Sequence, residues 1–219
     1  MEMNAARWRY TREYLGEVFG REDPELASLA SDAAAAGLPT IAVSAEVGRL
    51  LKMLVGLTPG RRAVELGTLG GYSAAWIARG LAPGGHLTTV ELDPRHADFA
   101  EGQLARLGLA DRVEVRRGAA LDVLAQLAEA WPAGSVDFAF VDAVKREYPA
   151  YFEALHPLLG PGAILVVDNV LGTNSWWIDS EDSPDRAAAD QLNRGVAAHA
   201  GYEAVGLPLR EGLLVARKR

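Results

Sequence analysis

The sequence predicts an α/β protein built on a seven-stranded, mostly parallel β-sheet with helices on both faces. Short apolar runs alternate with longer helical segments, as expected when parallel strands are joined by crossover helices. Only a short turn separates the last two apolar runs, which predicts a C-terminal antiparallel hairpin. The chain has 219 residues, of which 49% are hydrophobic, and this suits one α/β domain with a full core.

We expect a single domain over residues 1–219, with helices in residues 1–60 and the α/β core in residues 61–219. In the helical part, Asp23 is a candidate N-cap followed by Pro24 at the first helical position, a combination typical of a helix start. Gly37 can end that helix, and apolar residues recur at helical spacing after Ser44.

The core alternates strands and helices in the order typical of a parallel sheet. The predicted strands occupy residues 61–67, 85–93, 111–118, 135–143, 162–169, 202–209 and 212–218. The predicted helices occupy residues 72–81, 94–107, 120–130 and 147–159, and another follows the polar stretch that begins at residue 172.

Composition excludes several classes of function. A formal net charge of −7 argues against broad binding to nucleic acids or anionic membranes. The absence of cysteine excludes disulfides, thiolate zinc sites and a cysteine nucleophile. No apolar run is long enough to span a bilayer, and the N-terminus is charged, unlike a secretory signal. We therefore expect a cytoplasmic protein.

Acidic and small residues stand at the predicted strand ends. In an open parallel sheet, ligands bind beyond the carboxyl ends of the strands. The residues at these ends are Glu65 to Gly67, Glu91, Gly118 to Ala120, Asp142, and Asp168 with Asn169. This pattern is the main functional signal of the sequence.

A glycine-rich loop, "ELGTLGGYSA", follows the first strand of the core. Its glycines allow a tight turn and close approach of a ligand to the backbone, although turn geometry alone could also require them. The spacing is not G-x-G-x-x-G, which disfavours a dinucleotide. Glu91 can accept hydrogen bonds from ribose hydroxyls, and alone it would be read as a solvated strand end. The loop and Glu91 together favour a nucleoside cofactor.

Four segments carry a family resemblance: "VELGTLGGYSA", "TTVELDP", "FVDAVKREY" and "ILVVDNVL". In order and spacing they resemble the class I S-adenosylmethionine-dependent methyltransferases, which have a Rossmann-like sheet. More narrowly, they are similar to the divalent-cation-dependent O-methyltransferases of the catechol and caffeoyl-CoA type. The resemblance covers residues 38–172 and, more loosely, "GLLVARK". The first segment indicates only the superfamily, whereas D-A-x-K-x-x-Y with D-N-V-L is specific to the metal-dependent branch.

The resemblance implies S-adenosylmethionine as the cofactor. By position it assigns cofactor contacts to Val43, Glu65, Gly67, Thr68, Ser73, Glu91, Ala120 and Asp142. In this assignment Glu65 holds the methionine ammonium group, Ser73 the carboxylate and Glu91 the ribose. Ala120 contacts the adenine through its backbone.

The resemblance also implies a cation site and a base. Asp142, Asp168 and Asn169 match the ligands of Mg²⁺, or of another divalent cation such as Mn²⁺ or Ca²⁺, and Lys145 matches the catalytic base beside Asp142. A phenol, with a pKa of about 10, is a poor nucleophile at neutral pH, and a cation lowers the pKa of an oxygen bound to it. Taken alone, Asp142 could be a helix N-cap and Asp168-Asn169 a turn pair. Their place on consecutive strands, with Lys145 at the matching offset, favours the catalytic interpretation.

The expected activity is methyl transfer to a hydroxyl of a catechol-like, small phenolic substrate, by a homodimeric enzyme. One alternative substrate is a hydroxylated tRNA base, which the negative net charge of the chain disfavours. Another alternative is a cofactor-binding protein without catalysis, or a dinucleotide-dependent oxidoreductase on a similar sheet. The stretch after Leu171 departs from the family pattern and contains Trp176 and Trp177. These rings could enclose an aromatic substrate, cover the core or form a dimer contact.

Overall fold

The computed structural model describes residues 4–171 and 183–219. The described helices are α1 (Ala5–Phe19), α2 (Ala27–Ala35), α3 (Ala45–Gly56), α4 (Tyr72–Gly80), α5 (Pro94–Arg106), α6 (Ala120–Ala130), α7 (Tyr148–Leu155) and α8 (Pro184–Ala198), with a 3-10 helix at Lys145–Glu147. The strands are β1 (Arg62–Leu66), β2 (His86–Glu91), β3 (Val113–Arg117), β4 (Val136–Val141), β5 (Leu159–Asp168), β6 (Tyr202–Leu207) and β7 (Leu213–Lys218).

The seven strands form one sheet in the order β3-β2-β1-β4-β5-β7-β6. Strands β1 to β5 run parallel to one another, whereas β7 is antiparallel to both β5 and β6. This topology confirms the predicted Rossmann-like, mostly parallel sheet and its C-terminal hairpin. The parallel arrangement brings the carboxyl ends of β1, β2, β4 and β5 to the same edge of the sheet.

Both faces of the sheet are covered by helices, which explains why the central strands β4 and β5 are largely apolar. On β4, Phe138 and Phe140 pack in one core cluster, with α3 and α4. The alternate residues Ala139 and Val141 pack in the other, with α6, α7 and α8. This alternation follows from the two-residue period of a strand.

Three predicted helix boundaries are wrong. Helix α8 begins at Pro184, inside the polar stretch of residues 172–190 that it was predicted to follow, because Ser183 is its N-cap and proline suits the first turn. Helix α2 begins at Ala27, because residues 24–26 form a turn in which the main-chain oxygen of Asp23 accepts from the N–H groups of Leu26 and Ala27. Helix α7 ends at Leu155, and the last residue predicted to be helical, Leu159, instead starts β5. Pro157 lacks an N–H group and cannot continue the hydrogen-bond ladder of the helix.

Helix α1 lies outside the core, and none of its residues is buried. The main-chain oxygens of Phe19 and Arg21, at and just after its end, accept from the guanidinium group of Arg49 on α3. Within residues 4–171 and 183–219, no helix is long and apolar enough to cross a membrane.

Candidate active site

Glu65 is a fully buried carboxylate near the carboxyl end of β1. Its Oε2 accepts from the hydroxyl of Thr89 at 2.6 Å, while its Oε1 has no hydrogen-bond partner among the described residues. Burial raises the pKa of Glu65 to about 8, with the charges of Asp142 and Glu91 adding to the effect and the hydroxyls of Ser73 and Thr89 opposing it. A buried carboxylate oxygen without a hydrogen-bond partner lowers the stability of the fold, unless a cation or a hydrogen-bond donor binds to it.

The chain turns sharply after β1 and passes close to the end of β4. Gly67 has a φ of 95°, a conformation that glycine adopts without strain. A Cβ atom at this position would collide with the main-chain oxygen of Asp142. The main-chain N–H of Asp142 donates to the oxygen of Leu66 at 2.8 Å. Gly67 therefore allows the two strand ends to lie against each other.

Glu91, at the end of β2, holds the glycine-rich loop. Its Oε2 accepts from the main-chain N–H groups of Thr68 at 3.2 Å and Leu69 at 2.7 Å. Its Oε1 accepts from the N–H of Asp93 at 3.0 Å. Leu69 has a φ of 49°, which is unusual for a residue with a side chain. The Glu91 carboxylate therefore stabilises the backbone conformation of the loop at Leu69, and it lies at the edge of the sheet where ligands bind.

Thr89 links Glu65 to Thr68 through buried hydroxyl groups, and the main-chain N–H of Thr68 in turn donates to Glu91. Its hydroxyl donates to Glu65 and lies 2.6 Å from the hydroxyl of Thr68. Both threonines are buried. With Thr89 donating to the carboxylate, Thr68 donates to Thr89, and the orientation of Glu65 becomes fixed.

Three further predicted cofactor contacts lie on elements that approach the same edge. Val43 is buried just before α3, Ser73 is buried in the first turn of α4, and Ala120 is the first residue of α6. Arg210 of the β6–β7 turn donates to the main-chain oxygen of Ala42 at 3.2 Å. That contact ties the segment before Val43 to the far side of the site.

Asp142 directly follows β4, and Asp168 ends the neighbouring strand β5. Val141 pairs with Val167 in the parallel register, so each aspartate directly follows one member of a pair. Burial raises the pKa of Asp168, and the negative charge of Asp142 raises it further. The structure therefore places the charge of Asp142 where it disfavours the ionisation of Asp168, an arrangement that a cation would relieve.

Lys145 is held between Asp142 and an aromatic ring. Its Nζ donates to Oδ1 of Asp142 at 2.5 Å and lies 5.5 Å from the ring centre of Tyr148. Tyr148 is buried, and its hydroxyl donates to the main-chain oxygen of Asp168 at 2.7 Å. Burial raises the pKa of Tyr148 well above its ordinary value, so the phenol stays protonated and keeps its role as donor.

Asn169 follows Asp168 in a left-handed conformation with a φ of 56°. Its main-chain N–H donates to Oδ1 of Asp168 at 2.8 Å, and its Nδ2 donates to Oε2 of Glu211 at 3.3 Å. Within the described ranges, no three His, Cys, Asp or Glu side chains form a group that could hold a metal ion. The predicted ligand set has only two such residues, because its third member is an amide.

The side-chain oxygens at this edge of the sheet fit both ligands that the family resemblance implies, a divalent cation and S-adenosylmethionine. Hard cations such as Mg²⁺ take carboxylate and amide oxygens, and two carboxylates with an amide meet at the β4–β5 edge. The unpartnered oxygen of Glu65 suits an ammonium group.

The structure adds three residues that the sequence reasoning did not assign: Thr89, Tyr148 and Glu211. Tyr148 is part of the quoted D-A-x-K-x-x-Y motif, so a signal for it was present. A threonine in an apolar strand and an acid in a distant turn give no comparable signal. Trp176 and Trp177 lie outside the described residues.

Comparisons with known proteins agree with this arrangement. A family model described as O-methyltransferase matches residues 17–219. A catechol O-methyltransferase of Mycobacterium tuberculosis is 41% identical over 194 residues, covering 89% of this chain and 86% of that protein. One of Niastella koreensis is 35% identical over 219 residues, covering 98% and 99%. The crystal structure of an O-methyltransferase from Bacillus cereus in complex with SAH superimposes with a TM-score of 0.83 at 34% identity, covering 96% of this chain and 97% of that one.

Proposed function

Because the chain belongs to the O-methyltransferase family, whose model matches residues 17–219, we propose that this S-adenosylmethionine-dependent enzyme methylates a hydroxyl of a catechol-like small molecule at a divalent cation. The observation that carries the proposal is the pair of carboxylates, Asp142 and Asp168, ending neighbouring parallel strands with Lys145 beside them. Similarity to proteins named catechol O-methyltransferase supports the choice of substrate class.

On the cofactor side, we assign the methionine ammonium group to Oε1 of Glu65, which is buried and without a partner among the described residues. Ser73 receives the carboxylate at the start of α4, where main-chain N–H groups also favour an anion. Glu91 accepts from the ribose hydroxyls while its existing hydrogen bonds hold the loop. Gly67, Thr68, Val43 and Ala120 complete the assignment.

On the substrate side, Asp142, Asp168 and Asn169 would hold Mg²⁺, or another divalent cation such as Mn²⁺ or Ca²⁺. When bound, the cation lowers the pKa of a coordinated hydroxyl and fixes its position. Two adjacent hydroxyls could both bind such a cation, so we expect a catechol to be preferred over a monophenol. Asp142 also faces the cofactor side, since its main-chain oxygen lies against Gly67.

Lys145 is the proposed general base. In its neutral form, the amine of Lys145 takes the proton of the attacking hydroxyl on its lone pair and becomes an ammonium group. The electron pair left on the hydroxyl oxygen forms the new bond to the methyl carbon. The bond from that carbon to the sulfonium sulfur breaks, so the sulfur leaves as the neutral thioether of S-adenosylhomocysteine. Such an in-line displacement depends mainly on positioning. The contacts of Lys145 with Asp142 and the Tyr148 ring keep the amine near the place where the hydroxyl would bind.

Turnover of a substrate panel tests the proposal. We expect methyl transfer from S-adenosylmethionine to catechols, loss of turnover with EDTA, and recovery when Mg²⁺ is restored in excess. Phenols with a single hydroxyl serve as the matched control and should react far more slowly. Undiminished turnover in EDTA would contradict the role of the cation, and methylation of bulk tRNA but no catechol would favour the alternative substrate.

A further inference from the structure

The orientation of the Asn169 amide decides whether this residue can bind a cation. An amide presents an acceptor oxygen on one branch and a donor NH₂ group on the other, and only the oxygen is a ligand for a hard cation. In the structure, the NH₂ group donates to Oε2 of Glu211 at 3.3 Å. The oxygen is therefore the branch that points away from Glu211.

We propose that Glu211 is a positioning residue that fixes the Asn169 amide with its oxygen toward the cation, an inference that rests on the proposed function. A carboxylate has no donor of its own, so it accepts from the NH₂ group and repels the amide oxygen. Rotation of the amide by half a turn would place two oxygens against each other. Glu211 thus selects one of the two orientations.

The main chain explains why Glu211 meets Asn169 across a separation of 42 residues. Asp168 pairs with Leu213 in the antiparallel ladder between β5 and β7. The ladder continues past the strand ends, since the N–H of Val170 donates to the oxygen of Gly212 at 3.1 Å and that of Leu171 to the oxygen of Glu211 at 2.8 Å.

The backbone of Asn169 is also fixed. Its left-handed conformation is one that asparagine adopts more readily than most residues. The segment that follows is held from a second side, because Nδ2 of Asn193 on α8 donates to the oxygen of Val170 at 2.8 Å. With the backbone held on both sides, the remaining freedom of Asn169 lies in its side chain, where Glu211 acts.

The carboxylate of Glu211 could instead act only through its charge. It is about one-third exposed and lies 3.7 Å from the guanidinium group of Arg210, so its charge is partly balanced and partly screened. A double-mutant cycle separates charge from orientation, because replacing Asn169 with aspartate removes the amide that needs orienting.

Binding of Mn²⁺ to the complex with S-adenosylhomocysteine, followed by electron paramagnetic resonance, is the readout. We expect Glu211→Gln to weaken Mn²⁺ binding by about 10- to 100-fold, as for other residues that orient metal ligands, with unchanged affinity for S-adenosylhomocysteine. Glu203→Gln is the matched control: it removes one carboxylate from β6, where Glu203 pairs with Arg219 at 2.8 Å. This variant should bind Mn²⁺ like the wild type.

In the Asn169→Asp background, Glu211→Gln should cost far less Mn²⁺ affinity than in the wild type. An equal loss in both backgrounds would show an effect of charge alone and overturn the proposal. Wild-type affinity in Glu211→Gln would overturn it as well, while leaving the cation site in place. Absence of Mn²⁺ binding by the wild type would instead overturn the cation site, and this inference with it.

Discussion

The unpartnered oxygen of Glu65 links cofactor binding to pH. Because burial raises the pKa of this carboxyl to about 8, the unliganded protein binds a proton there at neutral pH. An incoming ammonium group needs the ionised form, so binding should release a proton, and affinity for S-adenosylhomocysteine should rise as the pH increases toward 8. The rise should level off above pH 8, because the carboxyl is then already ionised in the unliganded protein.

Calorimetry in buffers of different ionisation enthalpy counts the released protons. Glu65→Gln should weaken binding by about 1.5–3 kcal/mol, the value of a hydrogen bond to a charged group, and should remove the rise in affinity between pH 6 and 8. If the wild type showed the same flat profile as Glu65→Gln, the ammonium group would not be bound at this position.

Substitutions of Asp142 and of Lys145 should impair different properties of the enzyme. Asp142→Ala should lose affinity for both the cation and the catechol, because the substrate is bound through the ion. Lys145→Ala should keep cation and cofactor binding but lose turnover by a factor of order 10²–10⁴, as for other general bases. Calorimetry and turnover measured on the same preparations distinguish the two patterns.

A pH series adds a second criterion. Raising the pH should partly restore turnover in Lys145→Ala, because hydroxide can take the hydroxyl proton in place of the amine, and should not restore it in Asp142→Ala. If Lys145→Ala lost cation binding and kept its rate per bound complex, Lys145 would be structural and the assignment of the base would be wrong.

At the scale of elements, the loop between β1 and α4 depends on one carboxylate at the end of β2. Glu91→Ala removes the acceptor of the Thr68 and Leu69 N–H groups together with the proposed acceptor for the ribose. We expect weaker binding of S-adenosylhomocysteine and faster hydrogen exchange at these two amides.

Glu101→Ala is the control for that variant, since Glu101 pairs with Arg117 on the exposed side of α5. It should leave both the affinity and the exchange of the loop unchanged. An unchanged affinity in Glu91→Ala would remove Glu91 from the cofactor site.

The sequence predicted the elements that apolar runs and glycine spacing define, and those elements carry the strand-end residues. All seven strands were placed, and the clearest are the central ones, which are covered on both faces and leave nearly continuous apolar runs. The edge that gathers Glu65, Glu91, Asp142 and Asp168 follows from the parallel order alone.

Contacts between distant segments could not be predicted in the same way. Glu211 reaches Asn169 only because the β5–β7 ladder extends beyond the strands, and no local pattern encodes that extension. The start of α2 was placed too early because Asp23 and Pro24 also suit the turn that precedes the helix.

At the scale of the whole molecule, α1 presents an apolar surface that the rest of the described chain does not cover. Its exposed large side chains are Trp8, Tyr10, Tyr14, Leu15, Val18 and Phe19. The rings of Tyr10 and Tyr14 stack with centres 6.3 Å apart. Large exposed apolar side chains clustered on one helix are typical of an interaction site, and we propose that a second copy of the chain covers them.

Sedimentation should therefore give about twice the chain mass of 23.4 kDa. Replacing both Tyr10 and Tyr14 with glutamate should shift the protein toward the monomer, because it would bury four like charges in a two-fold interface. A wild-type monomer at micromolar concentration would contradict the homodimer.

The central claim is that a divalent cation held by Asp142, Asp168 and Asn169 binds the substrate. Affinity for catechol, measured by calorimetry on the complex with S-adenosylhomocysteine in Mg²⁺ and again in EDTA, tests this claim without requiring turnover. We predict measurable binding with Mg²⁺, none with EDTA, and weak binding of a monophenol in both conditions. Equal catechol affinity with and without the cation would contradict the account.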